Sequence, residues 1–495
     1  MSSAELAALT PLVYVIGLAI ALVVVDMVRP GDDRLVGILA GVGLLIGMGV
    51  VWLAGANGAT QEVFGGAYRL DPLTTFLDTL FLVVAFLTIL FTPDYLRPRG
   101  YPLAEYAATL LFAISGAMLI AGATDLLVLF LGLELLVLPG YMLTAYAKRD
   151  GLATEGAIKY FLLGSFSSAI FLFGLAFTWG YTGTTSVAGV AHRLEQVVTG
   201  QQPIAAGLLM GLALLTAGVA FKIAAVPFHY WTPDAYQGSP TPVTGYLSVG
   251  PKIAAFALIL RLFAEALAPL KADWVAVVAV LAVLTMTLGN LVALTQDNIK
   301  RMLAYSSIAH TGYILVGLAA FAGAPPGSEA AKEGIASVLF YAAAYAFMNL
   351  GAFAVVAALQ GRPGVTSQIA TFAGLGRRAP LAGALMLLFL LSLTGIPPTA
   401  GFFAKAYVIA AALASGGLVP WLAVIVVINA AIAAFYYLRV GVVMYMQDVP
   451  SGAQPVTNSL PMRLGLVVAA VGTVLIGLVP GLLLPMAQAA AAAIL

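Results

Sequence analysis

The chain has no cysteine and only three histidines among its 495 residues. The absence of cysteine excludes a disulfide-stapled scaffold and a thiolate-held iron–sulfur cluster. With so few histidines, a zinc or haem centre is not expected either. Charge is scarce as well, at 9% Asp, Glu, Lys and Arg, where a soluble domain carries about 25%. A soluble chain of this length needs far more charge to cover its surface. The formal net charge of +1 excludes a strongly basic nucleic-acid binder. No phosphate-binding loop is present, and no glycine-rich fingerprint follows a strand.

What is present is apolar: 62% of the residues are hydrophobic. A membrane-spanning helix needs about 20 mostly apolar residues. Fourteen such stretches can be read, at about 10–28, 35–54, 72–92, 106–123, 125–146, 156–180, 204–231, 241–264, 273–295, 301–322, 335–360, 380–413, 418–446 and 461–484. Apolar and polar residues do not alternate, which argues against a β-barrel. The expected fold is therefore an all-α polytopic membrane protein. No Lys or Arg precedes the first span, so a cleaved signal peptide is not expected. The longest loops, about 181–203 and 447–460, are too short for a soluble domain.

Orientation follows from the basic residues. Loops after odd-numbered spans hold Arg29, Arg34, Arg97, Arg99, Lys148, Arg149, Lys300, Arg301, Arg362, Arg377, Arg378 and Arg463; the opposite loops hold Arg69, Arg193, Lys271 and Lys332. This bias puts both termini on the outer face. Arg261 and Arg439 lie toward span ends and are expected to snorkel. Gly37/Gly41 and Gly43/Gly47 have the small-xxx-small spacing of close helix packing.

Four charges are read as lying deep in the spans: Glu134, Lys222, Lys252 and Lys405. A charge at the bilayer centre costs at least ~2.5–3.5 kcal/mol. Glu134 is taken as the only carboxylate near the middle of a span, so it cannot pair three lysines. The plainer reading is a set of ion pairs that fix packing. Isolated buried pairs add little net stability, however, and intramembrane charge usually marks an ion path. Taking a lysine out of water weakens its hold on the proton, and a neighbouring carboxylate restores it. A lysine whose carboxylate can withdraw is thus a switchable proton carrier.

Prolines stand beside each of these lysines: Pro227 after Lys222, Pro251 directly before Lys252, and Pro397 and Pro398 before Lys405. Each is expected to break its helix, and freed backbone at membrane depth needs protein or water to satisfy it. Spans 4–8 and 9–13 each form a set of five with a broken helix fourth. Five is odd, so the second set is inverted relative to the first. The expected units are 1–104 (spans 1–3), 105–268 (first repeat), 269–450 (second, inverted repeat) and 451–495 (span 14 and the C-terminal end).

His310 lies about ten residues into its span, as a hydrogen-bonded core residue or a titrating relay. His229 is expected toward the inner end of the seventh span, as a relay or a helix cap. Lys159 is read one turn into its span with Glu155 four residues earlier, as a surface pair or a proton entrance. Ser167, Ser168, Ser306, Ser307 and Thr399 can re-satisfy helix carbonyls.

The stretches FKIAAVPFHYWTPDAYQGSPTPVTGYLSVGPKIAAF, KRMLAYSSIAHTGY and LSLTGIPPTAGFFAK resemble the N-type antiporter-like membrane subunit of proton-pumping NADH:quinone oxidoreductase, respiratory complex I. The resemblance runs from the third span to the thirteenth. It implies that Glu134 and Lys222 form the family's glutamate–lysine pair. Lys252 matches the central lysine and Lys405 the terminal lysine, where the sibling M-type subunit has glutamate. It also implies M-type, K-type and J-type membrane partners, and a hydrophilic redox arm carrying FMN, iron–sulfur clusters and quinone chemistry. This chain itself would hold no cofactor and contact no nucleic acid. Its expected location is a bacterial cytoplasmic (inner) membrane.

The mechanism so implied begins with quinone reduction elsewhere separating Glu134 from Lys222. The Lys222 proton then moves to Lys252 and, with His310, to Lys405 and outward. Lys222 would reload from the inner face past Lys159 or His229. The alternatives are a subunit of a multisubunit Na⁺(K⁺)/H⁺ antiporter, a membrane-bound hydrogenase, or a passive membrane scaffold. Lysines cannot coordinate a cation and one carboxylate is a poor Na⁺ cage, so H⁺ is favoured.

Overall fold

The computed structural model describes residues 3–56, 58, 60–450, 456 and 459–495. Among them, twelve helices are long and apolar enough to cross a membrane. Two further crossings are each built from two short pieces. The seventh span is Ala206–Lys222 followed by Trp231–Gly238, and the twelfth is Pro380–Thr394 followed by Ala400–Ala414. Counting each pair once restores the fourteen spans read from hydropathy. Part of the 447–460 loop lies outside the described residues.

Side-chain caps start many of the spans. Asp71 accepts from the Thr74 N–H, Asp125 from Leu127 and Val128, Asp150 from Leu152 and Ala153, and Asn298 from Lys300 and Arg301. These caps satisfy donors that a helix N-terminus leaves free. The Asp150 cap makes the sixth span longer than read, Gly151–Thr182. Lys159 consequently lies about two turns in, not one.

Contacts between loops support alternate crossing. Arg97 pairs with Asp33, Arg99 donates to the Gln360 carbonyl, Arg301 pairs with Asp234 and Arg377 with Asp448. All of these lie at the ends of odd-numbered spans. At the other ends, Arg69 pairs with Glu265, Thr185 donates to Asp125 and Lys271 donates to the Ala324 carbonyl.

The eighth span (Thr241–Ile259), tenth (Ile299–Gly323) and eleventh (Glu329–Leu359) form the buried core. The peripheral spans expose apolar side chains such as Leu53, Phe166, Val427 and Leu478, as lipid-facing helices do. A short hairpin, Gln61–Val63 with Tyr68–Leu70, joins spans two and three. The 181–203 connection contains an amphipathic helix, Val187–Thr199, which buries Val187, Val190 and Leu194 and packs against the Leu260–Ala266 segment that ends the eighth span. Of the small-residue pairs, Gly43 and Gly47 do pack tightly. A Cβ on Gly43 would lie 2.6 Å from Leu18, and one on Gly47 would lie 3.1 Å from Tyr14. Gly37 and Gly41 meet their neighbours only at ordinary contact distance.

Candidate functional site

Two of the three expected helix breaks are present. Pro227 lies in the 223–230 interruption, and Pro397 and Pro398 lie between Thr394 and Ala400. The eighth span, by contrast, runs through Pro251 unbroken. The reason is local. Proline has no N–H to give the carbonyl four residues back, and here the Tyr236 hydroxyl donates to that carbonyl, Leu247 O, at 3.0 Å. With the acceptor satisfied from outside, the helix continues.

Lys222, Lys252 and Lys405 are all buried. Each ammonium is held by hydroxyl or carbonyl oxygens. Lys222 donates to Ser168 Oγ at 3.0 Å. Lys252 donates to the Ser307 carbonyl at 2.7 Å and to Thr311 Oγ1 at 3.1 Å. Lys405 donates to the Leu393 and Thr394 carbonyls at 2.8 and 2.7 Å. Those two carbonyls end the first half of the twelfth span, where the break leaves them free. Lys222 is itself the last residue of the first half of the seventh. Both broken spans therefore have a lysine at the break, and at the twelfth the ammonium meets the negative end of a half-helix.

The expected Glu134–Lys222 ion pair is not closed. Glu134 is half-buried and its Oε1 has no hydrogen-bond partner among the described residues. Lys222 has turned to Ser168 on the sixth span instead. The two charges still lie within electrostatic reach of each other.

A polar line links the halves. Thr311 Oγ1, which accepts from Lys252, donates to the Ile223 carbonyl at 2.9 Å. Ile223 directly follows Lys222 at the break. One residue from Thr311, His310 is buried, with Nδ1 2.8 Å from Tyr341 Oη and Nε2 3.3 Å from Tyr437 Oη. It lies within electrostatic reach of both Lys252 and Lys405. Its edge faces Tyr313, whose ring sits 4.9 Å from the Lys405 ammonium. Asn290 donates to Tyr313 Oη at 2.9 Å and accepts from Tyr436.

Other expectations fare differently. His229 is buried in the break, with Nδ1 unpartnered among the described residues, and its carbonyl accepts from Thr232 N. It makes no bond to the lysine line. Lys159 pairs with Glu155 at 2.6 Å as expected, and also with Asp234 at 2.7 Å, which Arg301 shares. Ser167 donates to the Gly218 carbonyl and Thr399 to Ile396 O, whereas Ser168 serves Lys222 and Ser306 meets Tyr437.

Three charge assignments need correction. Arg261 does not snorkel. It is fully buried, pairing with Asp71 at 2.8 Å and Glu265 at 2.7 Å and donating to the Ala121 carbonyl. Lys300 is buried as well, donating to the Gln237 and Ser239 carbonyls. An acid away from the middle of its span is not thereby near water. Asp78, in the third span Pro72–Phe91, is fully buried.

A family model described as NADH:quinone oxidoreductase/Mrp antiporter, TM, matches residues 123–433, which include Glu134, all three lysines and His310. The NADH-quinone oxidoreductase subunit N 2 of Roseiflexus castenholzii is 43% identical over 476 residues, covering 95% of this chain and 93% of that one. The chain belongs to the N-subunit family of NADH-quinone oxidoreductase. A chain of respiratory complex I from Thermus thermophilus, solved with bound aureothin, superposes with a TM-score of 0.78 at 32% identity. That match covers 96% of this chain and 98% of the other. A chain of the Mrp complex from a Dietzia species reaches a TM-score of 0.84 over 99% and 97% of the two chains, but at 20% identity. The fold is thus shared beyond the N-subunit family, and it is the sequence that separates the two.

The line adds Thr311, Tyr313, Tyr341 and Tyr437 to the residues read from sequence, and gives Ser168 the role of acceptor for Lys222 in place of a helix-carbonyl partner. Thr311 is adjacent to His310 in the sequence. Tyr313 is three residues from His310 on the same span, whereas Tyr341 and Tyr437 come from other spans and carry no sequence signal.

Proposed function

We propose that this chain translocates protons through a buried Glu/Lys/His relay, as a membrane subunit of NADH:quinone oxidoreductase. The observation that carries the reading is the hydrogen-bonded line Lys252–Thr311–Ile223 beside Lys222, with His310 in reach of Lys252 and Lys405. Three buried ammonium groups held by oxygens that can re-pair suit transfer better than scaffolding. Separation of Glu134 from Lys222 supports a pair that opens and closes.

In this reading, Lys222 releases its proton toward Lys252 when Glu134 stands away. His310 and its tyrosines carry it toward Lys405, and Lys405 passes it to the outer side. Lys222 reloads from the inner face, where Lys159, Asp234 and Arg301 form a half-exposed ion network. The two broken spans, each with a lysine at a half-helix end, support two inverted five-span units at 105–268 and 269–450.

The redox chemistry, with FMN, iron–sulfur clusters and quinone, is assigned to partner subunits; no cysteine is available here to hold a cluster. M-type, K-type and J-type membrane subunits and the hydrophilic arm are the partners. The basic bias of the odd loops supports a bacterial cytoplasmic membrane with both termini outward. The fold shared with the Mrp chain favours a cation/proton antiporter as the second reading. Co-purification of flavin and iron–sulfur subunits separates the two. The functional test is Lys222→Ala in the assembled complex. It should lower protons pumped per electron, and a normal ratio would contradict the relay.

A further inference from the structure

Asp78 is a buried acid outside the relay and, unlike the buried Asp71, it pairs with no cation among the described residues. It is fully buried, and neither carboxyl oxygen has a hydrogen-bond partner among the described residues. It sits seven residues beyond Asp71 on one helix, two turns or about 10 Å deeper on the same face. An unpartnered buried carboxylate anion is costly, so this position needs a reason.

The surrounding charges do not neutralise it. Arg261 is taken by Asp71 at 2.8 Å and Glu265 at 2.7 Å. Arg69 is taken by Glu265 at 3.2 Å and Glu62 at 3.3 Å, with Asp71 at 3.9 Å. The two guanidinium groups and their carboxylates form a closed cluster. Tyr68, itself buried, lies within electrostatic reach of Asp78, Asp71 and Arg261. Arg69 and Glu265 of the cluster also line a cavity of about 600 Å³, together with Glu195 and Lys271. These residues stand at the ends of even-numbered spans, the outer face by the loop-charge argument.

We propose that Asp78 is a further proton-carrying group of this chain, outside the relay, exchanging with the outer face through Tyr68 and the Asp71–Arg261–Glu265 cluster. One proton moves and no electron does. It leaves the Asp78 carboxyl, and Glu265 at the cavity wall accepts it and hands it to the outer phase. The inference rests on the proton-translocation reading above, and its test keeps the two apart.

The test uses the assembled complex in proteoliposomes, comparing Asp78→Asn, Asp78→Glu and Lys222→Ala. Protons per electron are measured alongside infrared difference spectra recorded on turnover. The expected result is a carboxyl band that responds to turnover, is lost in D78N and returns shifted in D78E, with fewer protons per electron in D78N. If D78N does not assemble, D78E decides: a shifted band supports the assignment and an unshifted one overturns it. A normal ratio and unchanged spectrum in D78N, with K222A impaired, overturn the Asp78 assignment alone. A normal ratio in K222A overturns the translocation reading, and this inference with it.

Discussion

The Lys252 ammonium lies 3.1 Å from the Thr311 hydroxyl, which hands its own hydrogen bond to the Ile223 carbonyl. This single hydroxyl joins the central lysine to the break in the seventh span. Thr311→Val keeps the shape and removes the bridge. Leaving a buried carbonyl without a donor costs about 1–3 kcal/mol, and about 1.4 kcal/mol is tenfold in rate. NADH-driven proton pumping by the assembled variant should fall roughly tenfold, with Thr311→Ser restoring most of it. Pumping by T311V at the parental rate would remove Thr311 from the path.

Lys405 offers a test of charge against transfer. Its ammonium bonds the Leu393 and Thr394 carbonyls. Arginine keeps the positive charge there but does not release a proton. Lys405→Arg should therefore impair pumping as strongly as Lys405→Gln. If K405R pumps normally, the site needs only a fixed charge and Lys405 is a structural anchor.

The same break depends on close backbone approach. A Cβ on Gly401 would lie 1.8 Å from the Ser392 carbonyl oxygen, whereas one on Gly49 would meet nothing within 4 Å. Gly401→Ala should lower the thermal unfolding temperature of the complex or prevent assembly, since overpacking costs typically 1–3 kcal/mol. Gly49→Ala should be neutral. Equal behaviour of the two variants would show that the half-helices are not held at this distance.

Tyr236 and Pro251 form a compensated pair through Leu247 O. Tyr236→Phe removes the side-chain donor to this carbonyl, so it should destabilise by about 1–3 kcal/mol. Adding Pro251→Ala supplies an N–H and should recover part of the loss. A double-mutant cycle on thermal stability reads the coupling. Additive effects would mean that the hydroxyl does not stand in for the missing N–H.

The Pro251 case also shows where sequence reading stops. Fourteen spans were legible because apolar length is a one-dimensional property, and Glu134, Lys222, Lys252 and Lys405 were legible because charge among apolar residues is conspicuous. Whether a proline breaks its helix depends on an outside donor, and Tyr236 is invisible as one until the chain folds. Arg261 read as a snorkelling end residue because its partner Asp71 is 190 positions away. Lys300 reads as a loop residue and Asp78 as an acid near a span end because nearness to a span end is equated with nearness to water, yet both are buried. The separation of Glu134 from Lys222 is a matter of rotamer and helix placement, and no spacing rule encodes it.

The most direct test of the relay is Lys252→Met, measured as protons pumped per electron in proteoliposomes holding the full complex. Lys252 connects the two halves, and methionine keeps the bulk without the ammonium. The account predicts intact subunit composition with a lowered ratio. A fully assembled K252M complex with the parental ratio would contradict it.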